Sequence, residues 1–352
     1  MILQELSEAV GVSGKEDAVR KVILPAIKDH VQDIRIDALG SVTALKPGRK
    51  RKGPRVMLSA HMDEVGFMVT GFDGDGSIRF TAIGGVDERI LPGLRVKVGD
   101  SAIPGVIIWT PIHRNRDQNT VALKNLRIDI GAGSKDEVNG KVKAGDRIAF
   151  DSTFMSIGET MLRGKAFDDR VGCSLLVDVL QGGPYPVDVL AAFTVQEEIG
   201  LRGARVAAQT MQPDVALALE GTTANDIPNP LAEADDEAEN NPACRLGAGP
   251  TLTVMDRSLI VNPRLLNFLR QTAERHGIPY QLKTQLGGGT DAGSIHTSGV
   301  GVMSGVISVP CRYIHSPHAY LNRDDYANTL KLLQAFLRDL TWDVLKRDAN
   351  HA

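Results

Sequence analysis

Short apolar runs that end in charged residues, with helical stretches between them, constrain this chain more than any other feature. Val56-Met-Leu-Ser-Ala-His-Met-Asp, 187–195 before Gln196-Glu-Glu, 215–219 before Glu220, and 300–309 all read as buried strands. Helical periodicity fills the gaps at 169–180, 204–209 and 263–276. It returns at 324–347, with apolar Leu330, Leu333, Phe336, Leu337, Leu340 and Val344. Such alternation predicts an α/β fold, in which functional sites form at the carboxyl ends of the strands.

The pattern is interrupted. The first thirty residues read as helices, and 34–45 reads as two strands around a Leu39-Gly40 turn. From 69 to 161 short apolar runs alternate with Gly-, Pro- and Asp-bearing turns, and no long amphipathic helix appears. That texture predicts a small barrel-like all-β domain inserted into the α/β domain. The expected division is therefore 1–68 with 162–352 as one discontinuous domain, and 69–161 as the insert. The 36 glycines and 5% aromatic residues fit this turn-rich organisation and disfavour a helical bundle.

At 352 residues the chain has room for about two domains without disulfide support. Its net charge of −3 gives no basic excess for a nucleic-acid or anionic-membrane partner. No apolar run reaches membrane-spanning length, and the N-terminus lacks a signal-peptide pattern. Cys173, Cys244 and Cys311 are too few and too scattered for a disulfide framework, so a cytoplasmic protein is expected.

Five polar clusters occupy the strand ends or adjacent turns. His61-x-Asp63 combines a metal-ligand type with a carboxylate on the same side of an extended backbone. Phe167-Asp168-Asp169-Arg170 opens a helix, where an aspartate also serves as an ordinary cap. Adjacent Glu197 and Glu198 repel one another unless a cation or proton intervenes. Glu220 and His315 complete a mixed set of histidines and carboxylates suited to zinc, cobalt or manganese. No Gly-x-Ser-x-Gly elbow supports a serine hydrolase, and the 287–289 glycines lack the Gly-Lys-Ser/Thr of a phosphate loop.

Four motifs occur in a fixed order: Ser59-Ala-His-Met-Asp-Glu-Val-Gly-Phe, Gly164-Lys-Ala-Phe-Asp-Asp-Arg-Val-Gly-Cys, Gln196-Glu-Glu-Ile-Gly-Leu-Arg-Gly-Ala and Arg312-Tyr-Ile-His-Ser-Pro. Over nearly its whole length the chain resembles the TET family, dinuclear-metal aminopeptidases that assemble into tetrahedral particles. Its members are often called glutamyl or deblocking aminopeptidases, or endoglucanases. The resemblance implies a metallopeptidase-type α/β/α catalytic domain and two divalent metal ions, zinc first, with cobalt or manganese as alternatives. His61 and Glu220 would bind one ion, Glu198 and His315 the other, and Asp168 would bridge them. Glu220 departs from the Asp of many relatives. Glu197 would be the general base and acid, and Asp63 would orient His61. A cis Asp168–Asp169 peptide is also implied, as is self-association through the insert into a dodecamer acting on short peptides.

Other residues stand outside this set. His318 and His113 are further histidines, one near the last motif and one in the insert. Thr290 and Asp291 are expected beside the substrate pocket. Arg202 and Arg312 are basic groups that would favour acidic substrates, and the acidic segment 233–239 reads as a solvated loop. Two alternatives use the same motifs: a deacylase or other amidohydrolase on the same metal site, and a non-catalytic assembly protein that retains the fold.

Overall fold

In a computed structural model, the described residues are 2–50, 52–110, 113, 120–227, 243–285 and 287–346. Four strands form the parallel heart of the large sheet: Asp188–Thr194, Arg55–His61, Val215–Thr223 and Met303–Arg312, side by side in that order. Their residues are almost all buried, as expected of parallel strands covered on both faces. The antiparallel hairpin Gln32–Ile36 and Val42–Lys46 extends one edge. Ala319–Asn322, Met161–Gly164 and Met155–Ile157 extend the other.

Helices cover both faces. The principal core gathers Val171, Leu175 and Leu176 of helix Phe167–Gln181, Leu332 and Phe336 of Arg323–Asp339, and Leu265 and Leu269 of Pro263–Arg275. On the opposite face Ala204, Ala207 and Ala208 of Arg202–Met211 and Ile295 of Asp291–Ile295 pack against Met57, Leu190 and Ala216. Alanines make up most of that helix's buried face, so this second core is smaller in side-chain volume than the first.

The turn-dense segment forms a closed barrel of strands between Gly66 and Phe150, with its own core around Phe67, Ile107, Ile128 and Ile148. Phe67 meets Phe80 and Phe150 edge-on, the geometry that ring quadrupoles favour. Met155–Ile157 and Met161–Gly164, although close in sequence, belong to the large sheet.

Two boundaries differ from the sequence reading. The 324–347 helix ends at Asp339: Leu340 turns to extended backbone while staying buried, and a separate helix spans Trp342–Leu345. The turn lets Trp342 Nε1 donate to Lys52 O at 2.7 Å. The 300–309 strand starts only at Met303, because Val300 projects into solvent. The acidic segment 233–239 lies outside the described residues.

Candidate active site

Because the four central strands run parallel, their carboxyl ends share one edge. His61 is the last residue of its strand. Glu197 and Glu198 follow the strand ending at Thr194, Glu220 lies near the end of Val215–Thr223, and His315 follows the strand ending at Arg312. Gly221 lets Asp168 join them: a Cβ there would stand 2.7 Å from Phe167 O, so only glycine permits this close crossing.

The adjacent aspartates divide two tasks. Both have non-helical backbone, and the peptide between them is cis. Asp169 is fully buried and ties the segment down, accepting from Gly172 N at 2.9 Å and from His61 N at 3.0 Å. The first of these bonds caps the helix. Asp168 faces the site. Ala166, Gln196, Tyr313 and His315 all adopt left-handed backbone with φ of 54–59°. Such a conformation costs a non-glycine residue about 1–2 kcal/mol, and strain of this kind is characteristic of functional sites.

The ligand-type atoms converge. His61 Nε2 stands 3.1 Å from Asp168 Oδ1, 3.6 Å from Glu220 Oε2 and 4.0 Å from Glu197 Oε2. His315 Nε2 stands 3.3 Å from both Asp168 Oδ2 and Glu198 Oε1. His61, Glu197 and Glu220 form one set of donor atoms within 4.8 Å of one another, and His61, Asp168 and Glu198 form another. His315 lies outside both sets but touches the second.

Asp63 lies beneath this layer. Its Oδ1 accepts from Glu197 N at 3.0 Å, and its Oδ2 from Ser13 Oγ at 2.7 Å and Glu198 N at 3.2 Å. His61 Nδ1 meets the Asp63 main-chain oxygen at 3.1 Å, nearer than the carboxylate at 3.5 Å. Asp63 thus holds the paired glutamates in place as well as neighbouring the imidazole.

Charge crowding perturbs every group. Burial pushes the Glu197, Glu198 and Glu220 carboxyls above the usual range, and neighbouring carboxylates push the same way. Burial also opposes protonation of both histidines. The surrounding carboxylates outweigh it, raising His61 well above its ordinary value and His315 to about 11. Asp168 goes the other way: hydrogen bonds from His315 and His61 overcome burial and hold it low.

These residues fit divalent cations. Among the described residues, the ion pairs of Asp168, Glu197, Glu198 and Glu220 are with the two histidines, never with Lys or Arg. Glu198 Oε1 is buried without an aligned hydrogen-bond donor, although His315 Nε2 is 3.3 Å away. Oxygen and imidazole donors in this mixture suit zinc, cobalt or manganese.

The cluster forms one wall of a cavity of about 790 Å³. Thr222, Asp256, Lys283, the 287–289 glycines and Thr290 line the remainder. Asp291, expected beside the pocket, lies behind it instead: it is 1% exposed and accepts from Thr194 Oγ1 at 2.5 Å. Burial raises its carboxyl to about 6. Neither expected arginine lines the cavity. Arg312 is clamped by Asp226 at 2.7 and 2.9 Å, and Arg202 reaches Gln196 Oε1 at 3.1 Å. His318 and His113 are exposed and outside the cavity lining. Lys283, a single lysine in a short strand, carries no periodic or motif signal that would mark it as lining the cavity.

The model of the M42 glutamyl aminopeptidase family matches residues 40–332. Three relatives align over nearly full length. An aminopeptidase of Acetivibrio thermocellus, described as putative, is 38% identical, covering 94% of this chain and 96% of its own. The lysyl aminopeptidase of Pyrococcus furiosus is 33% identical, covering 96% of each chain. The glutamyl aminopeptidase of Lactococcus lactis subsp. cremoris is 31% identical, covering 99% and 98%. Among solved structures, an aminopeptidase from Desulfurococcus kamchatkensis superposes with a TM-score of 0.91 at 37% identity, covering 98% and 96%. The Pyrococcus horikoshii TET1 peptidase, described as assembling into a tetrahedron or a large octahedral shell, gives 0.84 at 32%, covering 96% and 99%. Matches of this extent, converging on the same site-bearing fold, make the chain a member of the M42 glutamyl aminopeptidase family, an aminopeptidase by class.

Proposed function

We propose that the chain removes N-terminal residues from short peptides at a centre of two divalent metal ions. One observation carries this reading: Asp168 turns a separate oxygen to each histidine, Oδ1 to His61 and Oδ2 to His315, an arrangement in which one carboxylate can serve two ions. His61 and Glu220 would hold one ion with Asp168, and Glu198 and His315 the other. Zinc is the expected ion, with cobalt or manganese compatible with the same donors. Bound there, such ions supply Lewis acidity toward a peptide carbonyl and acidify an attacking water.

The protein's own part is proton handling. Glu197 takes a proton from the attacking water and returns it to the leaving amine. Asp63 fixes the direction of that carboxylate through the Glu197 and Glu198 amides, and it orients His61.

We read the barrel as the surface of self-association and a tetrahedral dodecamer as the assembly, in line with the P. horikoshii relative. No described helix is long and apolar enough to cross a membrane. Three free, buried cysteines suit a reducing cytoplasm.

A panel of aminoacyl-p-nitroanilides, offered after chelation and reloading with zinc, cobalt or manganese, tests the activity. Cleavage of free-amine anilides is the expected result. Activity confined to N-blocked substrates would instead indicate a deacylase, and no hydrolysis with any ion a non-catalytic assembly protein. Sedimentation as a monomer under metal-replete conditions would remove the dodecamer.

A further inference from the structure

We propose that Ser13 is a positioning residue for the reaction: its hydroxyl sets the direction of the Asp63 carboxylate, which in turn holds Glu197 and Glu198, and Arg147 of the barrel keeps Ser13 in place. This assignment rests on the aminopeptidase reading of the site. Ser13 belongs to none of the four sequence motifs and lies 50 positions from its partner.

The backbone brings the two residues level. Val12 and Glu64 form an isolated parallel bridge. Glu64 N donates to Gly11 O at 3.0 Å, and Ser13 N donates to Glu64 O at 3.4 Å. Gly11 N adds a bond to Glu64 Oε1 at 3.0 Å. The chain then turns at once. Gly14 takes a φ of 80°, Lys15 N donates to Val12 O at 2.9 Å, and Gly14 N donates to Glu16 Oε1 at 2.7 Å. Left-handed backbone of this kind suits glycine.

The carboxylate needs the hydroxyl. Ser13 is 1% exposed and Asp63 fully buried, so no solvent replaces a lost donor. Ser13 Oγ donates to Asp63 Oδ2 at 2.7 Å, a charge-assisted bond. Glu197 N reaches Oδ1 at 3.0 Å and Glu198 N reaches Oδ2 at 3.2 Å. His61 Nδ1 stands 3.5 Å from Oδ1. Among the described residues, Ser13 is the donor to this carboxylate that comes from outside the motifs. Without it the carboxylate is free to turn toward the imidazole, and both glutamate amides move with it.

The barrel holds the other side of Ser13. Arg147 heads the barrel strand Arg147–Phe150, and its Nε donates to Ser13 O at 3.0 Å. The Gly14 turn lies against the same guanidinium, where a Cβ would stand 3.0 Å from Nη2. Two hydrogen bonds, Arg147 to Ser13 and Ser13 to Asp63, therefore join the barrel to the residue beneath the glutamates.

The test measures S13A, S13T, R147M, D63N and S13A/D63N on the zinc-loaded full chain, with the aminoacyl-p-nitroanilide that the wild type cleaves best. Groups that orient a metal site from behind its ligands typically contribute about 10–100-fold. S13A should lower kcat by that order with KM little changed, as expected when an interaction serves the transition state. S13T keeps the hydroxyl and should retain more activity than S13A, and R147M should fall in the same direction by less. In the D63N background S13A should cost nothing further, because residues that act through one another are not additive. Zinc affinity by calorimetry, read without substrate, should show the same non-additivity. Wild-type kcat and zinc affinity in S13A overturn the proposal, as do additive effects of S13A and D63N. A lowered urea midpoint in S13A with full kcat per folded chain would make Ser13 a structural residue only, and an unchanged R147M removes the barrel from the link. If the wild type cleaves no anilide with any ion, the aminopeptidase reading fails by itself, and the zinc-affinity cycle still decides Ser13.

Discussion

Both carboxylate oxygens of Glu64 accept from Lys165 Nζ at 2.7 Å, and neither side chain is more than 2% exposed. Glu64 lies three residues after His61, and Lys165 three residues before Asp168. The pair therefore fastens together the two segments that carry the closest ligand contact of the site. Arg170 joins it, with Nη2 at 3.2 Å from Glu64 Oε1 and Nη1 bonded to the carbonyls of Leu6 and Ala9.

Removing either partner should not cost the same. Glu64→Gln strands two buried cations, whereas Lys165→Met leaves the Arg170–Glu64 pair intact. Breaking a buried pair costs about 3–5 kcal/mol. Urea unfolding should show a loss of that size for Glu64→Gln and a smaller one for Lys165→Met. Equal losses, or no loss with Glu64→Gln, would contradict a cluster organised around the glutamate.

Glu197→Gln keeps the side chain's size and removes its capacity to take a proton. General acid–base groups contribute roughly 10²–10⁴-fold to rate. A fall in kcat of that order is expected, with two ions still bound per chain by elemental analysis. Metal loss in parallel with activity would instead make Glu197 a ligand.

Metal uptake should strengthen with rising pH. Without ions, carboxylate charge holds His61 and His315 above their ordinary values, His315 at about 11, while burial holds Glu198 and Glu220 high. Ligands must shed their protons to bind. Titration calorimetry in buffers of different ionisation enthalpy should show proton release on zinc binding, and apparent affinity should be higher at pH 8 than at pH 6. Affinity independent of pH would argue against this ligand set.

The site was legible where residue type and strand position coincide. His61, Glu197, Glu198, Glu220 and His315 follow apolar runs, and parallel strands bring such positions to one edge. The barrel was legible from turn spacing. What escaped depends on contacts between distant segments. Asp291 looks like a pocket residue in a glycine-rich turn, yet Thr194, 97 positions away, draws it behind the site. Leu340 continues a helical period that tertiary packing breaks. Lys165 and Arg170 flank a recognisable motif, but nothing local indicates that both are fully buried against Glu64.

Glu16 offers a pH test outside the set of candidate ligands. It heads helix Asp17–Ile27 at 2% exposure and accepts from Gly14 N at 2.7 Å. Burial, reinforced by the charge of Asp63, raises its carboxyl from 4.5 to about 7. The folded chain thus binds this proton more tightly than the unfolded chain, so between those two values stability falls as pH rises. Below 4.5 the group is neutral in both states and carries no penalty. Above 7 the charge is present in both, and the folded state bears its full burial cost, at most about 3 kcal/mol. Gln at position 16 keeps the acceptor for Gly14 N and never ionises. Glu16→Gln should therefore raise the unfolding midpoint at pH 8 and change it little at pH 4.5. An equal shift at both pH values would mean that the substitution acts through packing and not through charge.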